Sequence, residues 1–148
     1  MILHLVRRFF GSIPGRPPNV GDEVWAEGFL VPGERSLWVR SSNRDRRHAI
    51  DVAKRFAGAA DRTRDEMAAA LLHDIGKIES GLSTWERVGA TLFGARTTRW
   101  RAYRDHESIG LELCRRAGSS ERTLAVLADP RDPAARDLRA ADDIRPGR

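Results

Sequence analysis

A histidine and an aspartate stand side by side, His73 and Asp74, directly after an apolar run from Met67 to Leu72. Burial of an unpartnered polar or charged side chain is unfavourable, so each of the two needs a hydrogen bond, a salt bridge or a metal ion. Imidazole nitrogens and carboxylate oxygens are preferred ligands of divalent first-row metal ions. The pair therefore marks a candidate metal site at the edge of a core.

Two more polar residues lie on faces predicted to point inward. His48 shares a helical stripe with Val52 and Phe56, at spacings of four and eight residues. Asp142 follows Leu138 by four residues, whereas its neighbour Asp143 shares a face with arginines and is expected in solvent. The residues alone leave two interpretations open. Either these side chains join the pair at residues 73 and 74 around a metal ion, or they are core groups held by backbone carbonyls and arginines.

The elements that position these residues are predicted to be helices, because no segment shows strand alternation. Capping residues, capping-box pairs and glycine stops delimit an all-α bundle of about six helices, at 42–60, 63–75, 83–92, 105–118, 120–128 and 132–144. Residues 1–33 are predicted to be an irregular N-terminal arm, rich in Gly and Pro, that packs on the domain at 34–148 through Trp25 and Phe29.

Composition favours a soluble globular protein, with 41% hydrophobic and 32% charged residues. The terminal stretch MILHLV is too short to span a bilayer and lacks the features of a signal peptide, so a cytoplasmic protein without a membrane partner is expected. The net charge of +5 comes from arginines spread along the chain. The stretch 96–104 is an anion-site candidate, but no nucleic-acid module is evident and such a partner is not expected. Cys114 is predicted to be a core residue.

The letters HDIGK, with an upstream helical histidine and a downstream AD pair, resemble the HD-domain superfamily of metal-dependent phosphohydrolases. The likeness covers roughly residues 34–144. It implies an all-helical core that holds one divalent ion (Mn, Fe, Co, Ni or Zn, with Mg a further option) and cleaves a nucleotide or other small phosphate ester. The metal ligands that it implies are His48, His73, Asp74 and Asp142.

Hydrolysis of a phosphate ester at such a site would need further residues, and among them the role of Lys77 follows from the resemblance. Asp74 would orient or deprotonate the attacking water, Lys77 would contact the substrate phosphate, and His106 would protonate the leaving oxygen. Further phosphates would be bound by Arg47, Arg99 and Arg104. Lys77 also has a plainer interpretation, as a cation favoured at a helix C-terminus.

The helix that begins near His106 is similar to the H-x-x-x-G helix of cyclic-dinucleotide phosphodiesterases of the HD-GYP type, in which the histidine serves a second metal. This chain has no later histidine and no GYP segment, so one metal is expected. The same observation motivates an alternative function, a non-catalytic HD domain that binds metal or nucleotide as a sensor or interaction module. The oligomeric state stays open.

Overall fold

The structure, a computed structural model, describes residues 15–78 and 107–144. In these two ranges the regular secondary structure is helical and no strand occurs, which confirms the all-α prediction. The helices are α1 (Val20–Glu27), α2 (Pro32–Trp38), α3 (Asn43–Ala59), α4 (Arg64–Leu72), α5 (107–116), α6 (Glu121–Ala128) and α7 (Pro133–Asp143), with a 3₁₀ helix at Ile75–Ile78.

Local sequence signals set most helix ends. Ser42 caps α3 by accepting the backbone N–H of Asp45, and Thr63 forms a capping box with Glu66 at the start of α4. Asp132 caps α7 in the same way, ahead of a proline that favours the first turn. These three starts lie where the sequence predicted them.

The end of α4 differs from the prediction. The sequence predicted a helix through Ile75, but α4 ends at Leu72 and a turn precedes the 3₁₀ helix. At this end the ring of His73 caps the helix, since its Nδ1 bonds to the carbonyl oxygen of Ala70 at 2.8 Å. In a continuing helix that carbonyl would accept the backbone N–H of Asp74. The chain therefore turns at the two residues whose side chains carry the candidate chemistry.

The core is formed where α3 packs against α4 and α7, and α4 packs against α6. Val52 and Phe56 of α3 are fully buried, as are the alanines and leucines of α4. The same packing brings the end of α4, the first half of α3 and the end of α7 to one edge of the core. None of the helices in the described ranges is long and apolar enough to cross a membrane.

Residues 15–33 correct the prediction of an irregular arm, because they contain α1 and the start of α2. Asn19 caps α1, and Pro32 occupies the first turn of α2, so the polar and proline residues there begin helices. Trp25 and Phe29 pack against the core as predicted. Residues 1–14 and the helix predicted at 83–92 lie outside the described residues.

The inward face of α5 includes part of the predicted stripe, since Leu113 and Ala117 pack against the core, and Cys114 is buried as predicted. The spacing predicted a buried stripe of His106, Ile109, Leu113 and Ala117. In the structure the buried residues of α5 are Gly110 and Cys114, and the last three members of the predicted stripe are only half-buried. The helix is turned toward its glycine because a residue without a side chain permits the closest approach of two backbones.

Candidate metal centre

His48 connects two helices that are far apart in the sequence. It lies on α3, and its Nε2 shares a hydrogen bond of 2.9 Å with Oδ1 of Asp142 on α7. The side chain of His48 is 41% exposed and that of Asp142 is 39% exposed, so this pair is at the rim of the core. Asp143 is exposed, which confirms the choice of Asp142 as the inward carboxylate.

His73 is the deepest member of the group, with a side chain that is 11% exposed. Its Nδ1 is engaged with Ala70, and its Nε2 is buried and makes no hydrogen bond. That nitrogen lies 3.6 Å from Oδ2 of Asp74 and 3.5 Å from Oδ1 of Asp142. One buried nitrogen is therefore aimed at two carboxylates without reaching hydrogen-bonding geometry with either.

This arrangement calls for a cation. A neutral ring that donates through Nδ1 carries a lone pair on Nε2, and that lone pair faces the oxygens of Asp74 and Asp142, which are also acceptors. Acceptors that face one another repel unless a proton or a metal ion lies between them. Burial lowers the pKa of His73, but Asp142 and the charge of Asp74 outweigh burial and raise it above its usual value. The interactions with His73 and His48 hold the pKa of Asp142 well below its usual range.

The donor set fits a divalent first-row ion. One ligand atom from each of His48, His73 and Asp74 can be chosen so that all three lie within 4.8 Å of one another. Two imidazole nitrogens and a carboxylate oxygen are ligands that such ions accept, and the unpartnered Nε2 of His73 is the atom that a metal would satisfy. Asp142 contacts both histidines and completes the four residues that the sequence singled out.

Lys77 lies beside this group. Its Nζ donates to Oδ2 of Asp74 at 2.6 Å, and its backbone N–H donates to the carbonyl of the same residue. The side chain of Lys77 is 38% exposed. The ammonium of Lys77 thus lies on the solvent side of the Asp74 carboxylate, and His73 is the other neighbour of that carboxylate.

The arginine and histidine candidates have different outcomes. Arg47 directly precedes His48 on α3, is half-buried, and has a buried Nη1 without a hydrogen bond. His106, Arg99 and Arg104 lie outside the described residues, so their predicted roles remain predictions.

Sequence reasoning missed the contact between α5 and the turn that follows Asp74. A Cβ placed on Gly110 would lie 3.1 Å from the backbone nitrogen of Gly76. The available signal was a glycine within a helical pattern, which is unfavourable relative to alanine and so indicates a packing reason.

Comparison with known proteins identifies the family of the chain. The family model described as HD domain matches residues 46–146, which include all four residues of the cluster. Neither the curated proteins nor the solved structures gave a significant match. Since the family model covers more than half of the chain, the protein belongs to the HD-domain family.

Proposed function

We propose that this protein is a metal-dependent phosphohydrolase that cleaves a nucleotide or another small phosphate ester. The observation that carries the proposal is the buried Nε2 of His73, which has no hydrogen bond and faces the carboxylates of Asp74 and Asp142. Family membership supports it, because HD domains are commonly metal-dependent hydrolases.

The proposed ligands of one divalent first-row ion are His48, His73, Asp74 and Asp142. A divalent ion held there would stabilise charge on phosphoryl oxygens and make a water acidic enough to attack at neutral pH. The hydrogen bond from His73 to Ala70 fixes the ring so that Nε2 points into the cluster, the kind of outer contact that orients a metal-binding histidine.

Asp74 and Lys77 are proposed to act on the substrate and the attacking water. In our proposal Asp74 orients the water and takes its proton, because its carboxylate lies next to both His73 and the solvent side of the cluster. Lys77 binds a phosphoryl oxygen, for which its ammonium, half-exposed beside Asp74, is well placed. A cation there offsets the negative charge that the carboxylates would otherwise present to a phosphate.

Further contacts with the substrate are proposed for residues nearby in sequence or beyond the described residues. Arg47, next to His48, has a guanidinium nitrogen without a hydrogen-bond partner. This nitrogen could donate to a phosphate oxygen of the substrate. Protonation of the leaving oxygen is assigned to His106, and binding of additional phosphates to Arg99 and Arg104.

The first experiment is elemental analysis of the purified protein and of the same protein reconstituted with Mn, Fe, Co, Ni or Zn. The His73→Ala/Asp74→Ala double variant serves as the comparison. We expect about one equivalent of metal in the wild type and none in the double variant. A screen of metal-loaded protein against an aryl phosphate, an aryl phosphodiester and the common nucleotides then follows.

Two results would contradict the proposal in different ways. Absence of metal after reconstitution would remove the metal site itself. Stoichiometric metal and nucleotide binding without turnover of any phosphate ester would instead support the alternative, a non-catalytic HD domain that senses metal or nucleotide.

A further inference from the structure

Gly110 is a buried glycine on α5. Glycine in a helix is less favourable than alanine by about 1 kcal/mol, so the position needs a reason. Backbone freedom is not the reason, because Gly118 is the glycine with a positive φ among the described residues, and Gly110 is not one of them. What the position requires is space.

The space is taken by the turn that carries the candidate ligands. A Cβ on Gly110 would lie 3.1 Å from the backbone nitrogen of Gly76, 3.5 Å from its Cα and 3.5 Å from Cγ2 of Ile75. Contacts as short as the first are rare for real Cβ atoms, so a neighbour would have to move by a few tenths of an ångström. Backbone here meets backbone, which cannot rotate away as a long side chain can.

Gly76 is close to the cluster along the chain. It belongs to the 3₁₀ helix that directly follows Asp74, and Lys77 ties that helix to the backbone carbonyl of Asp74. A displacement of Gly76 is therefore passed to the carboxylate of Asp74 and to His73 through very few rotatable bonds. Metal affinity responds to ligand displacements of this size, since ligand distances in metal sites vary by only about 0.2 Å.

We propose that Gly110 is a positioning residue for the metal centre. Its missing side chain lets α5 lie directly against Gly76, and this contact fixes the turn that presents His73 and Asp74. The inference rests on the proposed function for its metal readout, but the contact itself can be measured without metal.

The chain offers two matched glycine controls. Gly58, in the last turns of α3, has open space where a Cβ would lie, so Gly58→Ala should raise stability by up to about 1 kcal/mol and leave metal binding near the wild-type value. Gly33 is on α2 and packs against Ala117, the residue that follows the other end of α5. A Cβ on Gly33 would be 2.0 Å from the carbonyl oxygen of Ala117. Gly33→Ala should therefore destabilise the fold without acting directly on the metal centre.

The experiment compares Gly110→Ala with both controls by Co²⁺ affinity, by the visible absorption spectrum of bound Co²⁺ and by urea unfolding. We expect Gly110→Ala to weaken Co²⁺ binding by about tenfold or more and to change the spectrum, as disturbed support of metal ligands does. Gly33→Ala should lower the unfolding midpoint and keep the wild-type spectrum of the folded protein. Wild-type affinity and spectrum in Gly110→Ala, or the same spectral change in Gly33→Ala, would overturn the proposal.

A second measurement distinguishes failure of the positioning role of Gly110 from failure of the proposed function. In metal-free wild type, an α-proton of Gly110, which lies where a Cβ would be, should show a nuclear Overhauser contact with the amide proton of Gly76, and in Gly110→Ala the Gly76 resonance should shift. Failure of the wild type to bind Co²⁺ would refute the proposed function and leave this contact as the test of positioning. If Gly110→Ala does not fold, the wild type is titrated with Zn²⁺ and the amide resonance of Gly110 is followed. A Gly110 resonance that does not shift when Zn²⁺ binds would refute the positioning role.

Discussion

His48 and Asp142 share a hydrogen bond of 2.9 Å across 94 residues of sequence. The bond joins α3 to α7, so all members of the candidate site come together only when α7 packs on the first half of α3. His73 approaches the same Oδ1 of Asp142 to 3.5 Å from α4. One carboxylate oxygen of Asp142 thus lies close to both His48 on α3 and His73 at the end of α4.

Asp142→Asn is expected to weaken divalent-metal binding by at least about 10–100-fold, the range seen when even an outer partner of a metal ligand is removed. The amide keeps the size of the side chain but removes the charge that both histidines face. Isothermal titration with Co²⁺ or Mn²⁺ measures the change.

Asp143→Asn is the matched control, because the neighbouring carboxylate is exposed and one helical position away. Its metal affinity should equal that of the wild type. Equal losses in the two variants would mean that general negative charge, and not the position of Asp142, attracts the ion.

The helices that precede the family match are part of the core. Trp38 is 1% exposed, and its Nε1 donates to Oε1 of Glu23 at 2.6 Å. We expect Trp38→Ala to lower the free energy of unfolding by about 3–5 kcal/mol, the usual cost of deleting a buried aromatic side chain. Urea denaturation of the full chain measures it.

Val39→Ala is the control, since this neighbour of Trp38 is 59% exposed and should change stability by less than about 0.5 kcal/mol. A chain that starts at Arg46 should fail to fold cooperatively, because it lacks Leu30 and Trp38. A stable, cooperative domain from residue 46 onward would contradict the assignment of α1 and α2 to the core.

Most helix starts were predictable because the signals are local. Ser42, Thr63 and Asp132 each accept a backbone N–H within three residues, so the sequence around each cap contains the whole interaction. The choice between Asp142 and Asp143 was equally accessible, since a helix turns by about 100° per residue and places adjacent side chains on different faces.

What could not be predicted depends on three-dimensional contacts. At the end of α4 the ring of His73 bonds to the carbonyl of Ala70, a contact that helix propensities do not include. The burial of Gly110 on α5 was missed because counting large apolar residues overlooks a glycine, which leaves room for a neighbouring backbone. The arm was misassigned because its Gly and Pro content was taken to indicate irregular structure, although Pro32 occupies the first turn of α2.

Stability should fall in acid through one ion-pair network. Arg122 hydrogen-bonds to Glu66 at 2.8 Å and to Asp132, and these bonds lower the pKa of both carboxyls. The folded state therefore keeps both charged where the unfolded chain takes up protons. Their contribution is present above the unfolded pKa of about 4 and is lost as the pH falls through the lower folded pKa.

Arg122→Gln should accordingly reduce the urea midpoint at pH 7, and the gap to the wild type should begin to narrow as the pH falls below the unfolded pKa of about 4. Arg116→Gln is the control, because Arg116 pairs with Glu112 in an exposed ion pair that contributes little. A gap for Arg122→Gln that stays constant down to pH 3 would show that packing of the side chain, not its charge, is responsible.

Cys114 should be chemically inert in the folded protein. Burial, together with the charge of Glu34, raises the pKa of its thiol to about 12. The reactive form is the thiolate, so below that pH almost none is present in the folded state. We expect reaction with a disulfide reagent at pH 8 only at the rate of unfolding. Labelling of native protein as fast as in urea would contradict the buried position.

Lys77 provides the sharpest separation of metal binding from catalysis. Its ammonium lies 2.6 Å from Oδ2 of Asp74, so it repels any divalent ion that approaches the same carboxylate. Lys77→Met should therefore tighten Co²⁺ binding by about fivefold or more, since two unit charges about 4 Å apart interact by ~1 kcal/mol even in water and Co²⁺ carries two charges. The same variant should lose phosphohydrolase turnover, because the proposed contact with the phosphoryl oxygen is gone. We therefore expect Lys77→Met to raise the affinity for Co²⁺ and to lower the turnover of phosphate esters.

Lys54 is the matched control, as the one other lysine of the chain, paired with Asp22 on α1. Lys54→Met should leave Co²⁺ affinity and turnover at wild-type values. If Lys77→Met weakens metal binding, the ammonium stabilises the turn at His73 and Asp74 more than it repels the ion. If turnover survives Lys77→Met unchanged, the lysine is a helix-terminal cation and the phosphate contact belongs to another residue, for which Arg47 is the next candidate because its Nη1 is buried without a hydrogen bond.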